Sequence, residues 1–154
     1  MRELSPREQA ELDRRRAGFD AFLNERMPVL ADFAEALELK SPQLIVADPE
    51  RYLPSIDAFM MNQVVEADDR VWIVTRLGYF IGEVLVQRLG GCWLLNEIPA
   101  SRYFLRYVVG QFTRIRNPNA MVDPFEVASA FVSTPPTRNL ASLVAEVEMG
   151  LRAA

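Results

Sequence analysis

Four polar side chains recur within an otherwise apolar stretch, DRVWIVTRLGYFIGEVLVQ: Asp69, Arg76, Glu83 and Gln87. At about 100° per residue they fall on one helical stripe, flanked by Trp72 and Phe80. The stripe is only about 40° wide, so the remaining faces of this helix are apolar and suited to burial. Buried charges must be answered by each other, by a neighbouring element or by a ligand. Two readings follow. Arg76 and Glu83 could floor a small polar pocket or supply an acid–base group. Alternatively, all four form a structural network that fixes how the helix meets its neighbours, with Glu83 and Gln87 in i,i+4 contact. A single carboxylate without a partner base is a poor catalytic set, which favours the structural network and leaves no residue assigned to catalysis.

A second constellation lies between Ser101 and Arg116, where Arg102, Arg106, Arg114 and Arg116 occur without an acid. Tyr103, Phe104, Tyr107 and Phe112 are interleaved with them. If the chain reverses near Gly110, Arg106 lies opposite Arg114, and opposed like charges destabilise a strand pair. The pattern asks for an acidic surface elsewhere in the fold, an anion, or an acidic protein partner. Arginines beside aromatic platforms also suit single-stranded nucleic acid. The competing reading is a solvated sheet face whose charges guard an edge.

Composition narrows the chemistry. The 154 residues contain no histidine and one cysteine, Cys92, so no Ser-His-Asp or Cys-His arrangement can be built. A His- or Cys-rich zinc site is likewise excluded, and no metal or other cofactor is implied. No disulfide can form within the chain, which suits a reducing compartment. Cys92, between Gly91 and Trp93, reads as a small buried hydrophobe. A net charge of -4 argues against a protein built mainly to coat nucleic acid. The basic residues are sixteen Arg and one Lys, Lys40, a ratio that points to a GC-rich, bacterial genome. The N-terminal run MRELSPREQAELDRRR has no apolar core and is not a secretory signal. The most hydrophobic window, Val71–Val86, is short and contains Arg76 and Glu83, so no membrane span is expected. Together these features predict a cytoplasmic protein.

The elements that must position these residues can be read from local signals. Ser5-Pro6-Arg7-Glu8 is a capping box with proline in the first turn, starting a helix that runs to about Arg26. Pro28 is expected to break or kink it, and a second helix follows from Val29 to about Leu39. Residues 43–54 read as a short strand or an irregular connection. A helix from about Ser55 to Glu66 places Ile56, Phe59, Met60 and Val64 inward, and the central helix occupies about 69–89. Gly90 is its expected stop. Gly78 and Gly82 lie within about 40° of each other, away from the polar stripe, and predict close approach of another backbone, from helix 55–66 or the last helix. Cys92–Ile98 and Tyr103–Val109 read as antiparallel strands, with Phe112–Arg116 as a third. Asp123-Pro124-Phe125-Glu126 starts a helix to about Val132. A last helix begins near Arg138 and turns Leu140, Leu143, Val144, Val147 and Leu151 to one side.

The expected fold is therefore α+β, with helices around the central helix and a small two- or three-stranded antiparallel sheet. No linker divides the chain, which predicts a single domain: N-terminal helices 6–39, a core 55–132 and a C-terminal helix 138–151.

The runs Leu77-Gly78-Tyr79-Phe80-Ile81-Gly82-Glu83, Gly90-Gly91-Cys92-Trp93 and Asp123-Pro124-Phe125-Glu126-Val127 resemble a group of uncharacterised bacterial domains. These domains share an L-G-x-Y-x-G-E helix, a G-G-x-W hairpin and a P-F-x-x-V helix. The resemblance implies no activity, ligand or cofactor, and the stretch 101–116 is an elaboration of the hairpin. The function expected is a non-catalytic interaction module with a protein partner, a profile shared by small, acidic immunity proteins that neutralise toxins. The alternative is anion or nucleic-acid binding through the Arg-rich hairpin. The hairpin edge also leaves pairing with a second copy open.

Overall fold

The fold is α+β, with five α-helices and one three-stranded antiparallel sheet among the residues described, 3–154, in a computed structural model. The helices are α1 (Pro6–Ala36), α2 (Leu53–Met61), α3 (Arg70–Leu89), α4 (Pro124–Ser133) and α5 (Leu140–Ala153). The strands are β1 (Cys92–Leu95), β2 (Tyr107–Gly110) and β3 (Met121–Val122), in that spatial order. Short 3-10 turns at Pro42–Leu44, Pro49–Tyr52 and Ala67–Asp69 complete the connections.

Helix α3 is the axis of the molecule. Every residue from Leu77 to Leu85 is buried, as an all-round apolar helix requires. It packs most extensively on α4 and also meets α1, α5 and the sheet. Gly90 ends it in the left-handed conformation, with φ at 66°, and donates its N–H to the Val86 carbonyl. One core cluster runs from Leu30 through Leu151.

Local start signals act as the sequence predicts. Ser5 and Glu8 form the reciprocal capping box of α1. Asp123 Oδ1 accepts from the Phe125 and Glu126 amides at the start of α4.

Pro28 does not break the first helix: α1 runs unbroken from Pro6 to Ala36. Proline removes its own amide donor and crowds the carbonyl four residues back, but Leu30, Phe33 and Ala34 beyond it are buried, so tertiary burial carries the helix past the defect. Residues 43–54 hold no strand, and Ile45 is buried within the irregular connection. Helix α2 stops at Met61 rather than Glu66, and this early end exposes Phe59 and Val64.

The sheet also differs from expectation. β2 starts at Tyr107 because residues 102–105 form turns, with Leu105 at φ 69°. Asn96, 2% exposed, organises that loop: its Nδ2 donates to Ser101 Oγ at 3.1 Å and its Oδ1 accepts from the Ile98 amide at 2.9 Å. β1 pairs with β2 in the register Trp93 to Val109, and β2 pairs with β3 through Val109 to Val122. Phe112–Arg116 is not a strand. Gln111, at φ 53°, turns the chain, and the Thr113 and Arg114 amides bond to the Gly90 and Leu89 carbonyls. That segment supplies donors to the end of α3, where carbonyls would otherwise be unpaired.

Arg138 ties the ends of two helices together. Its Nη1 donates to the Thr134 carbonyl after α4, and its Nη2 donates to the Gln63 carbonyl just beyond α2, at 2.9 and 2.6 Å. The partial negative charge of helix C-termini suits a guanidinium at this place. Only 7% exposed and stacked on the Phe131 ring, it holds residues 61–63 in place. Arg138→Met is expected to destabilise the protein by about 2 kcal/mol, because two carbonyls lose their donor. Urea denaturation measures this, and an unchanged midpoint would show the clamp to be dispensable.

Candidate functional site

The polar stripe of α3 separates into four unrelated environments. Glu83, 3% exposed, forms an ion pair with Arg26 of α1, Nη1 to Oε1 at 2.5 Å. Burial pushes its carboxyl above the ordinary value, while Arg26 and the nearby Trp93 indole favour the ionised form. The indole N–H approaches without reaching hydrogen-bond geometry and has no other partner. Arg76 lies 4.1 Å from the centre of the Trp72 ring and pairs with Asp32 at 3.3 Å. Gln87 is exposed and donates to the Ala47 carbonyl, rather than to Glu83. Asp69 is exposed at the start of α3 and makes no side-chain cap. Arg76 and Glu83 thus answer separate acids and bases on α1, and Glu83 is closed off from solvent.

The glycines of α3 meet aromatic rings, not another backbone. A Cβ at Gly78 would overlap the Phe125 ring of α4, and one at Gly82 would overlap the Trp93 indole of β1. Phe22 of α1 completes the cluster, with ring centres 5.0 Å from Tyr79, 5.3 Å from Trp93 and 4.4 Å from Tyr107. The Tyr79 hydroxyl donates to the Phe22 carbonyl at 2.8 Å, and burial is the main reason its pKa is pushed up to about 12. The helix, hairpin and α4 motifs singled out in the sequence therefore converge on one packed aromatic cluster. Cys92 is exposed, contrary to expectation, because strand alternation turns Trp93 inward. Its sulfur contacts Gln111 Oε1 at 3.3 Å.

The Arg-rich segment finds its acids within the fold. Arg102 bonds Glu126 at 2.7 Å and the Tyr103 hydroxyl at 2.8 Å. Arg106 reaches Glu126 at 2.6 Å and Asp123 at 3.1 Å. These contacts hold Glu126 below the usual carboxylate range, with Arg106 the larger cause and Arg102 the next. Arg114 donates to the Gln87 and Arg88 carbonyls at the end of α3, so it does not oppose Arg106 across a strand pair. Arg116 is exposed and pairs with no carboxylate among the described residues.

The surface feature that periodicity conceals is an apolar groove of about 450 Å³ between the end of α2 and the start of α3. Phe59, Val64, Val65, Trp72 and Ile73 line it, with Gln63, Asp68 and Asp69 as its polar members. Val64 is 66% exposed, and Phe59 and Trp72 are each 39% exposed. Helical phase places Phe59 and Val64 inward, but α2 ends at Met61 and residues 62–66 cross to the start of α3 outside any helix. A local cue exists: Asn62, at the helix C-cap, precedes two β-branched valines and then three acids within four residues. Arg138 holds this crossing through the Gln63 carbonyl, and the Thr137 hydroxyl contacts Asn62 Oδ1 at 3.2 Å.

Among the described residues no group of three or more His, Cys, Asp or Glu could hold a metal ion, and no helix is long and apolar enough to cross a membrane. No protein-family model, curated protein or solved structure matches this chain.

Proposed function

We propose that the protein is a non-catalytic interaction module of the bacterial cytoplasm that binds a protein partner, in the manner of small immunity proteins. The observation that carries this reading is the groove of Phe59, Val64 and Trp72, where three large apolar side chains stand exposed together. Contiguous apolar surface rimmed by polar groups is the usual mark of a protein contact. The burial of Glu83 behind Arg26 gives further support, since it leaves that carboxylate without access to a substrate.

Anion or nucleic-acid binding by the Arg-rich segment has weaker support. Arg102 and Arg106 are engaged by Glu126 and Asp123, and Arg114 by backbone carbonyls. Only Arg116 of the four is left without such a partner among the described residues.

Val64→Glu places a charge in the groove at an exposed position, with little effect expected on folding. Cross-linked affinity purification from the native host should recover one stoichiometric protein with the wild type and lose it with Val64→Glu. Equal recovery by the variant would move the contact away from the groove. The interaction reading itself fails if no stoichiometric protein is recovered.

A further inference from the structure

The groove carries information about the chemistry of what fills it. Asp68 and Asp69 line it and pair with no base among the described residues. The adjacent base in sequence, Arg70, points elsewhere: its Nη2 donates to Ser129 Oγ and Ser133 Oγ of α4, at 2.9 and 2.8 Å. Arg76 stacks on Trp72, but Asp32 answers its charge, so the pair stiffens the ring without adding net charge to the rim. Arg138, which bonds the Gln63 carbonyl, is only 7% exposed, so the charge the groove presents to solvent is that of Asp68 and Asp69, beside the exposed apolar anchors.

Resting on the interaction reading above, we infer that the α2–α3 groove receives a cationic amphipathic segment of the partner protein. Its apolar side chains would cover Phe59, Val64 and Trp72, and a Lys or Arg would meet Asp68 and Asp69. An unpaired acidic rim selects against an acidic occupant by like-charge repulsion and accelerates encounter with a basic one. A phosphate-bearing ligand is disfavoured for the same reason. A two-fold dimer through this surface would bring two copies of the same acidic rim together and double its unpaired negative charge. The occupant that fits both the apolar floor and the charge is a basic, amphipathic stretch of another protein.

The test uses the full chain, isotopically labelled for amide NMR, and two short helical synthetic peptides. They share one leucine face and carry either lysines or glutamates on the other. The Leu/Lys peptide should shift amides within residues 59–73. Asp68→Asn with Asp69→Asn should weaken it by about tenfold, equivalent to about 1.4 kcal/mol. Asp20→Asn with Glu3→Gln, which removes the same charge from exposed positions on and before α1, should leave affinity within about twofold. Equal binding of both peptides at 59–73, or Leu/Lys binding indifferent to the Asp68 and Asp69 changes, overturns the charge inference and leaves the docking face standing. No shift at 59–73 with either peptide removes the groove as a docking face. Concentration-dependent shifts there without peptide, with doubled mass, would identify a second copy as the occupant and overturn the proposal.

Discussion

Replacing Arg26 with alanine is expected to destabilise the protein by about 3 kcal/mol at pH 8 and by much less at pH 4. The change strands Glu83, which is 3% exposed, without its counter-ion. Breaking a buried pair from one side costs about 3–5 kcal/mol, and the Arg26 side chain is 30% exposed, so the lower end applies. The sign of the pH dependence follows from the direction of the Glu83 shift. Its folded-state pKa lies above the ordinary value of 4.5, chiefly through desolvation. Below that value the carboxyl is neutral in both folded and unfolded chains and its burial is tolerated. As pH rises from there through the raised folded value, the unfolded state gives up its proton more readily and stability is lost. Removing Arg26 raises the folded value further and enlarges the loss. Urea denaturation of wild type and Arg26→Ala at pH 4 and pH 8 measures the difference. Glu83→Gln in the Arg26→Ala background should flatten it. A penalty for Arg26→Ala that is equal at the two pH values would show that Glu83 is not the group left unpaired.

Gly82→Ala is expected to destabilise α3 although alanine is the better helix former. The helical preference favours alanine by about 1 kcal/mol, whereas forcing a methyl into a filled core costs about 1–3 kcal/mol. The new Cβ would overlap the Trp93 ring at Cζ2 and Cη2, atoms of a rigid aromatic group that cannot turn aside alone. Packing therefore wins, with a net loss of up to about 2 kcal/mol, because the overlap falls at the costly end of that range. Trp93→Phe removes those ring atoms and leaves space of its own. The double variant should then be more stable than the sum of the two single losses predicts, by about 1–2 kcal/mol. Additive losses among the four proteins would mean that the methyl is accommodated without pressing on Trp93.

Features determined by a few adjacent residues were legible before the structure. The capping box at Ser5 and Glu8, the left-handed stop at Gly90 and the Asp123 cap each depend on neighbours within a turn. The buried character of α3 was legible as well, because a helix apolar on all sides has few other places to be. The partners of the charges were not. Glu83 meets Arg26 across 57 positions, and Arg102 and Arg106 meet Glu126 across 24 and 20. No local pattern encodes such distances. Two strong local patterns were overridden by tertiary demands. Phe112–Arg116 alternates like a strand, yet it supplies donors to the end of α3, and β3 forms later at Met121–Val122. Helical phase continues past Met61, yet the chain leaves the helix there and Arg138 bonds the Gln63 carbonyl two residues on. The groove exists because of that second override, which is why helical phase alone places Phe59 and Val64 in the core.

The two tryptophans of the chain stand in opposite surroundings. Trp93 is 6% exposed within the aromatic cluster, whereas Trp72 is 39% exposed on the groove with Arg76 against its ring. Their emission should differ accordingly, with Trp93 contributing at the blue edge and Trp72 at the red. Filling the groove would shift only the red component, and unfolding would move both. The protein thus carries intrinsic, unlabelled reporters that separate occupancy of its surface from the integrity of its core.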